Sequence, residues 1–278
     1  MKTRIISSAV GISLAVILIA LHETFVFNIA IGAVSAVAIA EIFKAAKHIK
    51  YTVPALMCCA YAFIDAVIPV FHKHGWLTFF TSRFYFGALV LAMCVYYLKN
   101  HETFKYKSLF FMLGVAILIP YSFGTLIYMA MTEGSLGVYM IVITLCAAWL
   151  ADSGAYFAGT FFGKTKLCPD ISPNKTVEGL VGGVIANGVF MLIVTLIFDL
   201  ATDTFAPRYV VVFFAGMAAA LVGLIGDLTA SEIKRQVGIK DYGNVMPGHG
   251  GIMDRFDSVL LVAPFMYYLF IQGALIKL

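Results

Sequence analysis

Asp227, Ser231, Lys234 and Arg235 stand at i, i+4, i+7 and i+8, a spacing that sets an acid, a hydroxyl and two bases along one face of a helix. Lys240 and Asp241 follow, then the run Pro247-Gly248-His249-Gly250-Gly251, then Asp254, Arg255, Asp257 and Ser258. Glycines in such a loop let backbone N–H groups come close to an anion. Asp227 and Asp254, carried on adjacent antiparallel helices, would offer hard oxygen ligands suited to Mg²⁺ bridged to a polyphosphate. Lys234, Arg235 and Arg255 would balance the phosphate charge. The competing reading is a salt-bridge knot between two helices, which needs neither the glycine loop nor so many bases.

Two earlier groups are less decisive alone. Asp152, Tyr156, Gly159 and Gly163 share one helical face, followed by Lys164; this is either a helix-packing stripe with a hydrated acid or a functional carboxylate beside a phenol. Ser172-Pro173-Asn174-Lys175-Thr176, with Glu178 and Gly179, directly precedes a long apolar segment. Hydroxyls, an ammonium and free N–H groups at a helix start form an anion pocket. Equally, Ser172 or Thr176 could be a plain helix cap, with Glu178 supporting the first turn.

The elements that must position these groups are apolar helices. Of the 278 residues, 62% are hydrophobic and only 12% charged, and the mean hydropathy is +0.94, far above that of ordinary globular domains. A bilayer core about 30 Å thick needs roughly 20 apolar residues per helix. Hydropathy predicts nine such segments: 5–21, 25–43, 53–71, 79–98, 109–131, 137–159, 177–200, 210–226 and 256–276. The runs lack a period of two, which excludes a membrane β-barrel. With a cytoplasmic amino terminus, every Lys and Arg except Lys73, Arg83, Arg208 and Lys277 falls on the cytoplasmic side, as the positive-inside rule expects. The first segment reads as an uncleaved helix, because Leu21-His22-Glu23-Thr24-Phe25 lacks a small-residue cleavage site.

The expected fold is therefore all-α and polytopic, with the active site at the cytoplasmic ends of the C-terminal helices. Residues 1–136 read as transmembrane scaffold and 137–278 as the catalytic region, since nearly all dense polar motifs lie in the latter. Cys58, Cys59, Cys94, Cys146 and Cys168 form no spaced Cys-x-x-Cys units, so reduced thiols are expected rather than a disulfide or thiolate-metal site. The net charge of +4 is explained by orientation and anionic headgroups, without nucleic acid. His72-Lys73-His74 reads as a solvated external loop. Asp65, beside Pro69 in the third segment, would be the focus of a transporter, but no internal repeat supports that class.

Taken together, Ser231-x-Ile233-Lys234-Arg235, Lys240-Asp241-x-Gly243 and Pro247-x-His249-Gly250-Gly251-x-x-Asp254-Arg255-x-Asp257 closely resemble the pattern of the phosphatidate cytidylyltransferases, or CDP-diglyceride synthetases. The Asp152 group and Ser172-Pro173-x-Lys175-Thr176-x-Glu178-Gly179 match that family's other blocks. The resemblance covers roughly Asp152 to Ser258. It departs from the usual pattern at Met246 and Val177, neither of which carries phosphate or metal chemistry.

That resemblance implies transfer of CMP from CTP to phosphatidate, giving CDP-diacylglycerol and pyrophosphate for phospholipid synthesis. It implies Mg²⁺ at Asp227 and Asp254, with a bound monovalent cation such as K⁺ as a further candidate. Lys175, Lys234, Arg235 and Arg255 are expected to hold substrate phosphates. Ser231 would supply a hydroxyl contact, and His249 would orient a phosphate. Asp152, Ser172, Thr176, Lys240 and Asp241 are expected around the nucleotide. The implied setting is multi-pass, in a bacterial inner membrane with the site facing the cytoplasm. A homodimer that buries the first-half helices is an expected arrangement, as is a lipid coat over the same faces. An archaeal ether-lipid cytidylyltransferase and a polyprenol kinase are the rival enzymes; the Gly-His-Gly-Gly block argues against the kinase.

Overall fold

The computed structural model describes residues 2–73, 75, 81–202 and 206–277. His74 and the expected start of the fourth segment at Phe79 lie outside them. Ten helices and four short strands follow in order: α1 (Lys2–Ala20), α2 (Phe25–Ala45), α3 (Thr52–Lys73), α4 (Ser82–Lys99), α5 (Tyr106–Ala130), α6 (Ser135–Phe162), β1 (Lys166–Cys168), β2 (Ser172–Thr176), α7 (Val177–Thr202), β3 (Ala206–Pro207), α8 (Tyr209–Val237), α9 (Met253–Phe256), α10 (Val259–Ile271) and β4 (Ile276–Lys277).

A helix overlies each of the nine apolar segments. Among the described residues, six of them (α2, α3, α5, α6, α7 and α8) are long and apolar enough to cross a membrane. Two of the others, α4 and α10, fall short for physical reasons. α4 carries Arg83 and Lys99 within its 18 residues. α10 has only 13 residues, about 20 Å of helix, because the chain turns at Asp257–Ser258 before it begins. The architecture is helical as expected, with two small antiparallel ribbons that hydropathy does not reveal, β1 on β2 and β3 on β4.

The chain forms two compact units: Met1–Ile127 with Ile239–Arg255, and Tyr128–Gly238 with Phe256–Leu278. In the first, α2 lies tightly on α3. A Cβ at Gly32 would sit 3.1–3.2 Å from Phe63 and Ala66, and the buried Asn28 donates from Nδ2 to the Ala66 carbonyl at 2.8 Å. Such side chain to backbone bonds satisfy polar groups where water is absent. Phe104, fully buried, meets Tyr51 and Tyr96 edge-on, closing the connection between α4 and α5.

The second unit is built on a seam of small residues between α6 and α7. A Cβ at Gly183 would lie 2.8 Å from the Ala155 Cβ and 2.9 Å from the Ala151 carbonyl; Gly179 faces the Ala155 carbonyl at 2.8 Å. In an apolar surrounding, such close backbone approach is a main source of helix association. Asn187 then ties three helices together, donating to Ala147 of α6 at 3.1 Å and Gly216 of α8 at 2.8 Å. We expect Gly183→Leu to force α6 from α7 at a cost on the order of 1–3 kcal/mol. Thermal unfolding in detergent should show a drop of several degrees; an unchanged Tm would mean that the seam is not tight.

α8 extends well past its apolar stretch. Its 29 residues make about 43 Å of helix, more than a hydrocarbon core of about 30 Å requires. The last three turns, bearing Asp227, Ser231, Lys234 and Arg235, therefore project beyond the apolar portion. Gly238 stops the helix in the left-handed conformation (φ 73°), its N–H bonded to the Arg235 carbonyl. At the other edge, Gly226 lies against the chain at Asp257, where a Cβ would meet the Asp257 carbonyl at 2.7 Å. Absence of a side chain there lets α8 and the start of α10 touch next to Asp227.

Candidate active site

Within the second unit, four charged groups from four separate elements converge. Lys175 on β2 forms a salt bridge with Asp227 of α8 and another, at 3.6 Å, with Asp152 of α6. Asp257, in the turn before α10 and buried, hydrogen-bonds the Asp227 side chain and lies within electrostatic reach of Lys234. Side-chain exposure falls from 57% at Asp152 to 24% at Lys175 and 21% at Asp227, so Asp152 is the rim and the other two lie inside. Burial works against the Lys175 charge, but Asp227, then Asp152 and Asp257, outweigh it and hold its pKa above the ordinary lysine value. The lysine is therefore a permanent cation at neutral pH.

A cavity of about 430 Å³ opens beside this cluster, in the size range of ligand sites. Asp152, Ser172, Asn174, Lys175 and Thr176 line its polar part, while Ala148, Ala151, Ala155, Leu180, Val184 and Leu224 line an apolar part against α6, α7 and α8. Tyr156 stands at the same wall.

The β1–β2 hairpin sets the reach of Lys175. Lys166 Nζ donates to the Pro173 carbonyl at 2.7 Å, and Arg235 Nε donates to the Ile171 carbonyl at 3.3 Å. Arg235, expected at phosphate, thus also secures the hairpin turn to α8. Thr176 Oγ1 accepts the Gly179 N–H at 3.1 Å, which makes it the cap of α7. Ser172 does not cap; it begins β2. Glu178 supports the first turn of α7, where its carboxylate bonds its own backbone N–H, and it also accepts the N–H groups of Lys164 and Thr165 at 3.0–3.2 Å, fastening the exit of α6 to the entry of α7. Both sides of the Asp152 motif are present: Asp152 faces Lys175, while Gly159 and Gly163 press against Thr176.

The 239–255 loop of the first unit is organised differently. Asp254, buried, accepts at Oδ2 the N–H of Tyr242 at 2.8 Å and of Gly251 at 2.9 Å. Gly248 and Gly250 adopt φ of 79° and 83°, conformations that side chains disfavour. Around them Lys240, Asp241, Asn244, His249 and Arg255 line a cavity of about 390 Å³, a setting rich in positive charge. His249 Nδ1 is hydrogen-bonded to Ser7 of α1 at 2.8 Å.

A hard divalent cation fits the donor chemistry of the second unit's cluster. Asp227 and Asp257 bring two carboxylates into contact, an arrangement that opposes itself unless a proton or cation intervenes. Among the described residues no three His, Cys, Asp or Glu side chains converge as a closed metal cage; a Mg²⁺ shell is commonly completed by substrate phosphates and water. Asp257 is the residue that spacing alone did not single out as a ligand. Its position three residues after Asp254 is the only sequence signal, and the chain turn that directs it to Asp227 is not visible there.

Fold and site thus define a polytopic helical membrane protein with a buried acid–lysine cluster at the end of its long helices. The model of the cytidylyltransferase family matches residues 2–272. The phosphatidate cytidylyltransferase of Haemophilus influenzae is 30% identical over 294 residues, covering 97% of this chain and 98% of that protein. Those of Bacillus subtilis and Staphylococcus saprophyticus are 40% and 43% identical over 180 and 136 residues. In these two the chain spans 65% and 50% of the relative's length. The chain belongs to the cytidylyltransferase family.

Proposed function

We propose that this chain is a phosphatidate cytidylyltransferase. A phosphate oxygen of phosphatidate attacks the α-phosphorus of CTP; the new P–O bond forms as the bond to pyrophosphate breaks, giving CDP-diacylglycerol. The observation that carries this reading is the cavity beside Lys175, lined by both polar and apolar side chains, which suits a phosphate on a lipid. Joining two polyanions depends mainly on positioning and charge neutralisation. A permanently cationic lysine between acids on α6 and α8 fits that need.

Lys175 holds and orients a phosphate, with Ser172, Thr176 and Asp152 around the nucleotide. Lys234, Arg235 and Ser231 continue the same face of α8. In the 239–255 loop, Lys240, His249 and Arg255 contribute phosphate contacts together with glycine N–H groups, and Asp241 stands with them around the nucleotide. Asp227 is a proposed Mg²⁺ ligand, with Asp257 added by its contact with it, and Asp254 is proposed as a Mg²⁺ ligand in its own unit; a K⁺ site is a further proposal. When bound, the divalent cation supplies charge neutralisation on the departing pyrophosphate. The attacking phosphate is already nucleophilic, so no strong base is required. We place all nine apolar segments across a bacterial inner membrane with the site facing the cytoplasm, the arrangement the distribution of Lys and Arg favours. A homodimer formed through the first-half helices completes the proposal.

The test is transfer of labelled CTP into chloroform-extractable lipid by the purified chain, given phosphatidate and Mg²⁺. Product should require CTP rather than ATP and should vanish on addition of EDTA. A well-folded sample that makes no lipid product from phosphatidate would overturn the substrate assignment; one that is indifferent to EDTA would overturn the metal.

A further inference from the structure

Glu41 has no counterpart among the residues that motif spacing selects. It lies in the last turn and a half of α2, two hundred residues before the loop it touches, and only 6% of it is exposed. A carboxylate buried in an apolar helix is costly unless fully engaged. Here both oxygens are engaged: Oε1 accepts the N–H of Ile252 at 3.1 Å and Oε2 the N–H of Met253 at 2.8 Å. The loop is also shaped to receive it. A Cβ at Gly243 or at Gly251 would collide with Glu41 Oε1, so both glycines are needed for the carboxylate to reach the backbone.

These contacts surround Asp254. Met253 is its neighbour in the chain, and Gly251, packed on Glu41, also gives its N–H to Asp254 Oδ2. One acid buried in α2 thereby fixes the backbone on which Asp254 and Arg255 are mounted, and does so through charge-assisted bonds, which are roughly twice as strong as neutral ones.

We propose that Glu41 is a positioning residue for the reaction, holding the 243–253 backbone so that Asp254 and Arg255 are presented in register. This rests on the function proposed above, and it gives the α2 helix a duty beyond scaffold. A misplacement of about 1 Å far from the chemistry can lower a rate about 10²-fold, so the effect should fall on kcat rather than on lipid binding. Glu41→Gln is the informative variant: nearly the same size, it replaces one acceptor by an NH₂ group that must face a backbone N–H. Glu41→Asp keeps the charge but shortens the reach by one methylene.

Two readouts on the purified chain separate this idea from the function it rests on. Hydrogen–deuterium exchange without substrate should show the loop around Ile252 and Met253 exchanging roughly tenfold faster in Glu41→Gln while α6 and α7 are unchanged, the signature of local rather than global opening. In the transfer assay, kcat should fall about 10²-fold with KM for phosphatidate little altered, and Glu41→Asp should recover part of the loss. Unchanged loop exchange, or faster exchange spread equally over all helices, overturns the positioning role whether or not the wild-type chain turns over phosphatidate. A locally loosened loop with normal kcat overturns its link to the reaction. A wild-type chain that makes no product from phosphatidate is a failure of the proposed function and leaves the exchange comparison to decide whether Glu41 holds the loop.

Discussion

Asp227→Asn should lower kcat by at least about 10³-fold, a loss at the upper end of what removal of a single charge-stabilising group produces, while the protein still inserts and folds. Asp227 is the point at which the cluster joins: it forms a salt bridge with Lys175 and hydrogen-bonds Asp257. Asparagine keeps the size of the side chain, so the Gly226 approach to the start of α10 is undisturbed. It removes the charge that would bind a cation and turns an amide group toward either the lysine or the neighbouring acid. Relief of the like-charge contact with Asp257 should offset the lost salt bridge, leaving Tm close to that of the wild type. The two measurements together are decisive. Loss of turnover with an unchanged Tm assigns Asp227 to the chemistry; retained turnover, even at a raised Mg²⁺ concentration, would remove it from the reacting centre. Asp254→Asn should also inactivate; the N–H groups of Tyr242 and Gly251 both go to one oxygen, Oδ2, which the asparagine carbonyl can replace with weaker, uncharged bonds, so only a small fall in Tm should accompany the loss.

Lys175→Met should produce a loss of similar size, and Lys175→Arg should restore little of it. Methionine matches the apolar stem but leaves Asp152, Asp227 and Asp257 without their shared cation, so the phosphate would meet three acids instead of an ammonium. Arginine restores charge as a planar fork, too broad for a position already enclosed by Asp152, Asp227 and the hairpin backbone. The pH dependence is specific. Because the folded pKa of Lys175 is raised, its stabilising contribution is complete below the unfolded lysine value and is lost only as pH rises through the higher folded one. No loss of turnover attributable to this lysine should occur between pH 7 and about 9, well below the ordinary lysine pKa of about 10.4. A rate that collapses across that interval in the wild type and no longer does so in Lys175→Arg would show that the cluster does not hold the proton as argued.

The helical membrane class, the presence of helix over each of the nine apolar segments and the clustering of charged motifs could all be read from the sequence, because hydropathy and helical spacing are local properties. The i, i+4, i+7, i+8 placement of Asp227, Ser231, Lys234 and Arg235 required only that α8 outlast its apolar stretch, and it does. The long-range pairings depended on tertiary structure. Lys175 reaches Asp152 and Asp227 because an unforeseen hairpin carries it between α6 and α8, and hairpin formation in so polar a segment leaves no hydropathy signal. Asp257 turns to Asp227 because the chain breaks at Ser258 instead of entering α10 directly. Glu41 appears in the sequence as a lone acid in an apolar helix, a signal that something must satisfy it but not what. Only the packed structure identifies the partner, since a buried carboxylate is satisfied by whichever N–H groups the fold delivers, and those of Ile252 and Met253 come from the far end of the chain.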